Sequence, residues 1–173
     1  MKNTNKLFFA TIVLTCIFYS CGKSKQEAKF SNDMEQEKYW INLQTITKGD
    51  AHSGKYICKM DSTKEYSFGF GSKIEDFTTK IPKKVKVNFF SYAKNSCEGT
   101  GLVIQIDSAA GKNIFWISGN ISGKLSKMNE WVEINEIFNL PAKLKPSNEI
   151  KIYVWNPKKK EFYIDDFNVE FLF

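Results

Sequence analysis

From Phe30 onward, apolar residues alternate with polar ones in short runs broken by Gly, Asn, Asp, Ser and Pro. Over Lys84 to Ala93, Val85, Val87 and Phe89 fall on one side, and Lys86, Asn88 and Phe90 on the other. Leu102, Ile104 and Ile106 alternate with Val103, Gln105 and Asp107, and Ile150, Ile152 and Val154 with Lys151, Tyr153 and Trp155. A period of two sends successive side chains to opposite faces, so each run predicts a strand with one face on a core. Turns are predicted at Lys48-Gly49-Asp50, Asn95 to Gly101, Ala110-Gly111-Lys112 and Ser118-Gly119-Asn120, where residues tolerate left-handed backbone or bond their own backbone. Asn156-Pro157-Lys158-Lys159-Lys160 reads as a hairpin loop joining the last two strands. No repeat and no long helix stand out; Lys124 to Glu130 holds one turn at most. Short, regularly spaced strands of this kind predict an all-β sandwich or barrel.

The first residues follow another pattern. Met1 to Lys6 carries Lys2 and Lys6 without an acid, Leu7 to Tyr19 is almost wholly apolar, and Ser20-Cys21-Gly22 follows. A basic start, a short apolar run and a small residue at the cut match a secretory signal. The run is shorter than the ~20 residues of an ordinary spanning helix. Ser20-Cys21-Gly22 resembles the lipobox of bacterial lipoproteins, which implies cleavage after residue 20 and acylation of Cys21. Cys16, after Val13-Leu14-Thr15, is the competing acceptor, and an uncleaved anchor helix is the other alternative. Several acyl chains hold a protein on a membrane far more firmly than one. The chain then divides into a signal (1–20), a polar lipidated tether (21–29) and one β domain (30–173), held at a membrane of the cell envelope.

Charge and cysteine content narrow the function classes. Removing Lys2 and Lys6 takes the formal net charge from +6 to +4, and every basic residue is a lysine apart from the lone His52. Specific nucleic-acid sites lean on arginine forks, so the lysines read as solvated surface and no nucleic-acid partner is expected. Export permits a disulfide between Cys58 and Cys97. Cys58 lies inward on a strand and Cys97 in the polar loop Asn95 to Gly99, so two free thiols are preferred over a bridge.

Three ordered segments resemble the galactose-binding-like jelly roll of carbohydrate-binding modules. They are Asn32-Asp33-Met34-Glu35 with Trp40; Gly49-Asp50-Ala51-His52-Ser53-Gly54-Lys55-Tyr56; and Trp131 to Pro141 with Lys151 to Asn156 and Phe162 to Phe167. The resemblance implies an all-β jelly-roll sandwich. It also implies a structural calcium held by Glu35, a carbonyl at Gly49 or Asp50, and Asp165, which is plausible for a cation that takes hard oxygen ligands. The alternative is that Asp165 caps backbone groups of a neighbouring turn with no metal.

Such modules stack aromatic faces on pyranose rings and bond hydroxyls with polar side chains. The outward candidates here are Asn88, Phe90, Tyr92, Gln105, Tyr153 and Trp155, with Trp116 of uncertain facing. If their strands are neighbours on one sheet, they form an aromatic-polar patch; the alternative for each ring is core packing. For Tyr153 and Trp155, opposite an unbroken Ile-Ile-Val face, exposure or a groove is preferred.

Catalysis is not expected. His52 reads as a turn residue, and one histidine excludes a multi-histidine zinc centre. No nucleophile elbow, P-loop or dinucleotide fingerprint appears. Asp165 and Asp166 are adjacent, and on a regular strand they point to opposite faces, a poor catalytic pair. The function expected is a membrane-anchored, non-catalytic lipoprotein that binds poly- or oligosaccharide. The alternative is a structural or protein-interaction lipoprotein with no sugar site.

Overall fold

The computed structural model describes residues 28–125 and 127–173. The signal, both candidate acceptors Cys16 and Cys21, and all of the tether but Ala28 and Lys29 lie outside the described residues.

Strands run in the order β1 (Ala28–Asn32), β2 (Trp40–Ile41), β3 (Ile46–Lys48), β4 (Tyr56–Met60), β5 (Tyr66–Lys73), β6 (Lys84–Tyr92), β7 (Gly101–Asp107), β8 (Asn113–Asn120), β9 (Trp131–Asn139), β10 (Glu149–Trp155) and β11 (Phe162–Leu172). One antiparallel sheet has the order β3-β4-β11-β6-β9, with β1 also on β11; the other has the order β2-β5-β10-β7-β8. They are called the β11 sheet and the β10 sheet below.

The alternating runs define the two layers as the sequence predicts. Val85, Val87 and Phe89 of β6, Leu102, Ile104 and Ile106 of β7, and Ile150, Ile152 and Val154 of β10 are all buried between the sheets. Rings fill the space between them: Phe89 stacks on Phe167 at 5.3 Å, and Trp40 on Phe68 at 5.0 Å. Each such side chain removed from water is worth about 1.5–3 kcal/mol.

Most connections cross between the sheets, and this corrects several local expectations. Asn156 to Lys160 is not a hairpin loop, because β10 and β11 belong to different sheets. Instead Asn156, fully buried, holds the crossing: its Nδ2 donates to the carbonyls of Lys64 and Lys160, and its Oδ1 accepts from Lys160 N–H. Gly119 is not a turn residue but lies inside β8, where a Cβ would press to 2.9 Å from the Phe138 ring. Gly111, with φ 75, does turn the β7–β8 hairpin. Ala28 and Lys29 of the expected tether pair in β1, opposite Phe171 and Glu170 of β11.

Cys58 and Cys97 are both free and both buried. The Cys97 thiol, expected in a polar loop, turns inward toward the carbonyls of Asn95 and Glu161. Burial pushes the Cys58 thiol up to about 11, against the opposing hydrogen bond to Thr45.

Candidate functional site

The outer face of the β10 sheet gathers four of the sequence-predicted residues. Gln105 of β7 lies opposite Lys151 of β10 on one side and Trp116 of β8 on the other. Tyr153 sits between Gly69 and Val103, and Trp155 lies opposite Tyr66. The Trp116 and Trp155 rings meet edge to face at 5.8 Å, as do Tyr66 and Tyr153 at 5.5 Å. Tyr66 and Trp116 remain 48% and 47% exposed. Both rings lie open to solvent on this face rather than in the core.

Polar groups hold the cluster from beneath and beside. Tyr153 Oη donates to Gln105 Oε1 at 2.8 Å, and Gln105 Nε2 donates to Asp107 Oδ2 at 2.9 Å. Lys151 Nζ bridges Asp107 Oδ2 at 3.0 Å and Glu149 Oε2 at 3.1 Å. Trp155 Nε1 donates to Glu65 Oε1 at 3.1 Å, which fixes the indole plane. Burial works to raise the Asp107 carboxyl, but hydrogen bonds from Lys151, Gln105 and Asn113 outweigh it and hold the group below the usual range. Lys151 shifts upward for the matching reason: its two carboxylate partners outweigh burial. Burial raises the Tyr153 phenol, with the Trp116 side chain opposing.

One expectation for this face changes, and one residue joins it. Tyr153 is only 7% exposed, because the Tyr66 ring covers its edge and Gln105 takes its hydroxyl. It therefore positions the neighbouring groups rather than presenting a ring. Tyr66 takes the exposed place, and the sequence reading missed it. The alternation that could have found it is broken by a register shift where β5 pairs with β10 between Tyr153 and Trp155.

Asn88, Phe90 and Tyr92 do not join this patch. They lie on β6, in the β11 sheet, and face the opposite side of the sandwich. Asn88 Nδ2 donates to Glu133 Oε1 at 2.6 Å and to Asn135 Oδ1 at 2.8 Å, in a polar row that continues to Asn168. Phe90 is covered by His52, whose ring stacks on it at 3.6 Å. Tyr92 belongs to an aromatic row with Tyr163 and Trp131.

The His52 turn explains why Asp165 and Asp166 depart from regular strand geometry. β4 pairs with β11 at Phe162 to Ile164, and β1 pairs with the same edge from Phe167 to Phe171. Between them the edge has no strand partner, and β11 bulges, with Asp166 at φ 51. Aspartate tolerates this left-handed conformation better than most residues. The fully buried Asp165 carboxylate stands in for the missing ladder: Oδ2 accepts the N–H groups of His52 at 2.7 Å and Ser53 at 3.0 Å, and Oδ1 that of Asp166 at 2.8 Å. Asp166 turns to the same segment, with Oδ2 2.6 Å from His52 Nδ1 and Oδ1 accepting from the Ser53 hydroxyl. Both carboxylates thus hold one turn instead of pointing apart. Burial, with the adjacent Asp166 charge, raises the Asp165 carboxyl against the opposing N–H groups.

This geometry bears on the calcium ligands. Glu35 approaches the same turn, its Oε1 3.1 Å from where a Cβ on Gly54 would sit, while Asp50 is exposed on the rim of a separate groove. Calcium takes about six to eight oxygen ligands. Three of the lone-pair positions of Asp165 are already used by N–H donors, and the described residues hold no group of three His, Cys, Asp or Glu placed to hold a metal. As arranged, Asp165 caps the His52 turn.

Solved structures share this architecture. The CBM22-1 xylan-binding domain from Paenibacillus barcinonensis Xyn10C matches with a TM-score of 0.51 at 12% identity, over 84% of this chain and 94% of that one. The CBM22-2 xylan-binding domain of the same protein gives 0.51 at 15% identity, over 82% and 98%. The C-terminal family 22 carbohydrate-binding module of Clostridium thermocellum Xyn10B gives 0.50 at 12%, over 82% and 91%. No family model and no curated protein matches the chain. At these identities the likeness is one of fold: the domain is an all-β jelly-roll sandwich, the fold of those modules.

Proposed function

We propose that the outer face of the β10 sheet binds a neutral poly- or oligosaccharide without transforming it. The observation that carries this reading is the cluster of Tyr66, Trp116 and Trp155 beside the hydrogen-bonded group Gln105, Asp107 and Lys151. A pyranose presents C–H groups on its flat face and hydroxyls around its rim. The electron-rich face of an indole or phenol attracts the first, and fixed donors and acceptors bond the second. The fold likeness to carbohydrate-binding modules supports the same reading. We also propose that acylated Cys21 holds the domain at a cell-envelope membrane; the lipobox resemblance is the support for this.

Affinity electrophoresis of the full chain through gels containing neutral polysaccharides, with a glycan array alongside, tests the first part. Retention that weakens in Trp116→Ala is expected. Failure to bind any neutral glycan would instead favour the protein-interaction reading. For the anchor, Cys21→Ser should lose acyl labelling, and labelling that persists would move the acceptor to Cys16.

A further inference from the structure

The outer face of the β11 sheet carries a second, chemically different groove, of about 530 Å³. Its floor is a row of side chains aligned across adjacent strands. Lys59 of β4 lies opposite Tyr163 of β11, Tyr163 opposite Tyr92 of β6, and Tyr92 opposite Trp131 of β9. The three rings are evenly spaced, with Tyr163 and Tyr92 6.1 Å apart and Tyr92 and Trp131 5.7 Å apart. All three are half-buried, as floor rather than core. Lysines stand around them: Lys59 at the end of the row, with Lys48 and Lys94 exposed in the lining. Asp50 is the one acid in that lining. Lys48, Lys59 and Lys94 form no ion pair with a described residue, whereas Lys124, Lys151 and Lys158 do.

We infer that this groove binds an acidic saccharide, a pyranose chain bearing carboxylate or sulfate groups. Excess positive charge beside a half-buried row of rings fits a ligand with a flat C–H face and a fixed anion. A lone phosphate would leave the rings unused, and a neutral sugar would leave the lysines unused. Charge-assisted hydrogen bonds from Lys59 and Lys94 would hold the anion, while Trp131 and Tyr92 stack the ring. The groove also lies at the opposite end of β6 from the first residue pair of β1. β1 begins opposite Phe171, near Lys84 at the start of β6, whereas Tyr92 ends that strand. Nine strand residues separate the two ends by about 27 Å. The site is on the opposite sheet from the proposed neutral-glycan face and stands or falls separately.

The test is affinity electrophoresis of the full chain in gels containing polygalacturonate, its fully methyl-esterified form, dextran sulfate or poly-L-glutamate, at physiological salt. Retention on polygalacturonate is expected. Trp131→Ala should weaken it by roughly tenfold, and the pair Lys59→Met/Lys94→Met by roughly a hundredfold, as the loss of one stacked ring and of two charge-assisted bonds predicts. Removing the charge by esterification should abolish the dependence on the lysine pair. Added retention on dextran sulfate extends the class to sulfated sugars, and its absence restricts it to uronates. The control pair Lys143→Met/Lys145→Met alters exposed lysines outside the groove. Equal weakening by that pair would reduce the effect to general charge and overturn the proposal. Retention on poly-L-glutamate alone, or insensitivity to Trp131→Ala in a variant that melts like the wild type, would overturn it as well. Neutral-glycan binding and its dependence on Trp116 are scored on separate gels, so either reading can fail without the other.

Discussion

The two outer faces of the sandwich start from the same pleat and end differently. On the β10 sheet, β10 has a strand partner on each side, β5 and β7, for nearly its whole length. No backbone donors there call for a cover, and Tyr66 and Trp116 stay open. On the β11 sheet one edge of β11 is shared between β4 and β1, and the gap draws in the turn at His52 and Ser53. That turn then covers Phe90. Phe90 is therefore covered because the β11 edge beside it lacks a strand partner, and buried backbone groups must be paired.

Removing the substitute ladder should have the largest effect. Asp165→Ala leaves three N–H groups without their acceptor, those of His52, Ser53 and Asp166. At about 1–3 kcal/mol per unsatisfied group, with some relief from water, the loss should be on the order of 3 kcal/mol. For a domain of this size that is roughly 6–12 °C in Tm. Neutral-glycan binding by the folded fraction should be unchanged, since the site is on the other sheet. An unaltered melting curve would show that the carboxylate does not hold the turn.

Trp116→Ala should have the reverse profile. The ring is nearly half exposed on an edge strand, so stability should change little. Binding should fall by about 2 kcal/mol, roughly thirtyfold, if Trp116 is a stacking ring of the proposed site. Isothermal titration and thermal melts on the same sample separate the two effects. A drop in Tm with unchanged affinity would make Trp116 a packing residue and remove the main support for the glycan face.

Much of this contrast was hidden in the sequence, for a definite reason. Alternation states which side of a strand a residue faces, and it placed Val87, Ile104 and Ile152 inward and Asn88, Gln105 and Lys151 outward correctly. It carries no information on which sheet the strand joins. Gln105, Tyr153, Trp155 and Trp116 came together because β10, β7 and β8 are consecutive neighbours. Phe90 and Tyr92 were assigned to the same patch because nothing in Ala93 to Thr100 shows that the chain crosses to the other layer there. Parity also fails across irregularities: Asp165-Asp166 reads as regular strand until the bulge is known, and Tyr66 lies just beyond a register shift. Cys97 looked solvent-bound because its neighbours are polar, yet tertiary packing buries it.

Acid titration offers a smaller but signed test, because among the described residues each sheet has one buried carboxylate and the two shift in opposite directions. Asp107 on the β10 sheet is held below the ordinary carboxylate value. Its stabilisation is present above about pH 3.9, the unfolded-state value, and is lost as pH falls through the lower folded value. The Tm gap between wild type and Asp107→Asn should therefore close on acidification. Asp165 on the β11 sheet is raised. Its favourable contribution is present below the unfolded value and is lost as pH rises through the folded one, so the gap between wild type and Asp165→Asn should widen toward acid. Parallel behaviour of the two variants would contradict the opposite environments described for the two sheets.

The smallest expected effect is none at all. An ion specific to the folded state must raise stability by an amount that grows with its concentration. If the Asp165 cap and the Asp166 contacts are what hold the His52 turn, excess EDTA and excess calcium should give the same Tm in the wild type. Should chelation lower Tm by several degrees, the comparison of the faces changes in kind. The gap in the β11 ladder would then be closed by a cation, with Glu35 and turn carbonyls as its ligands. The Asp165→Ala loss would have to be divided between orphaned N–H groups and a lost metal. Repeating that substitution in EDTA makes the division: a variant that loses no further stability on chelation, beside a wild type that does, would assign the ion to Asp165.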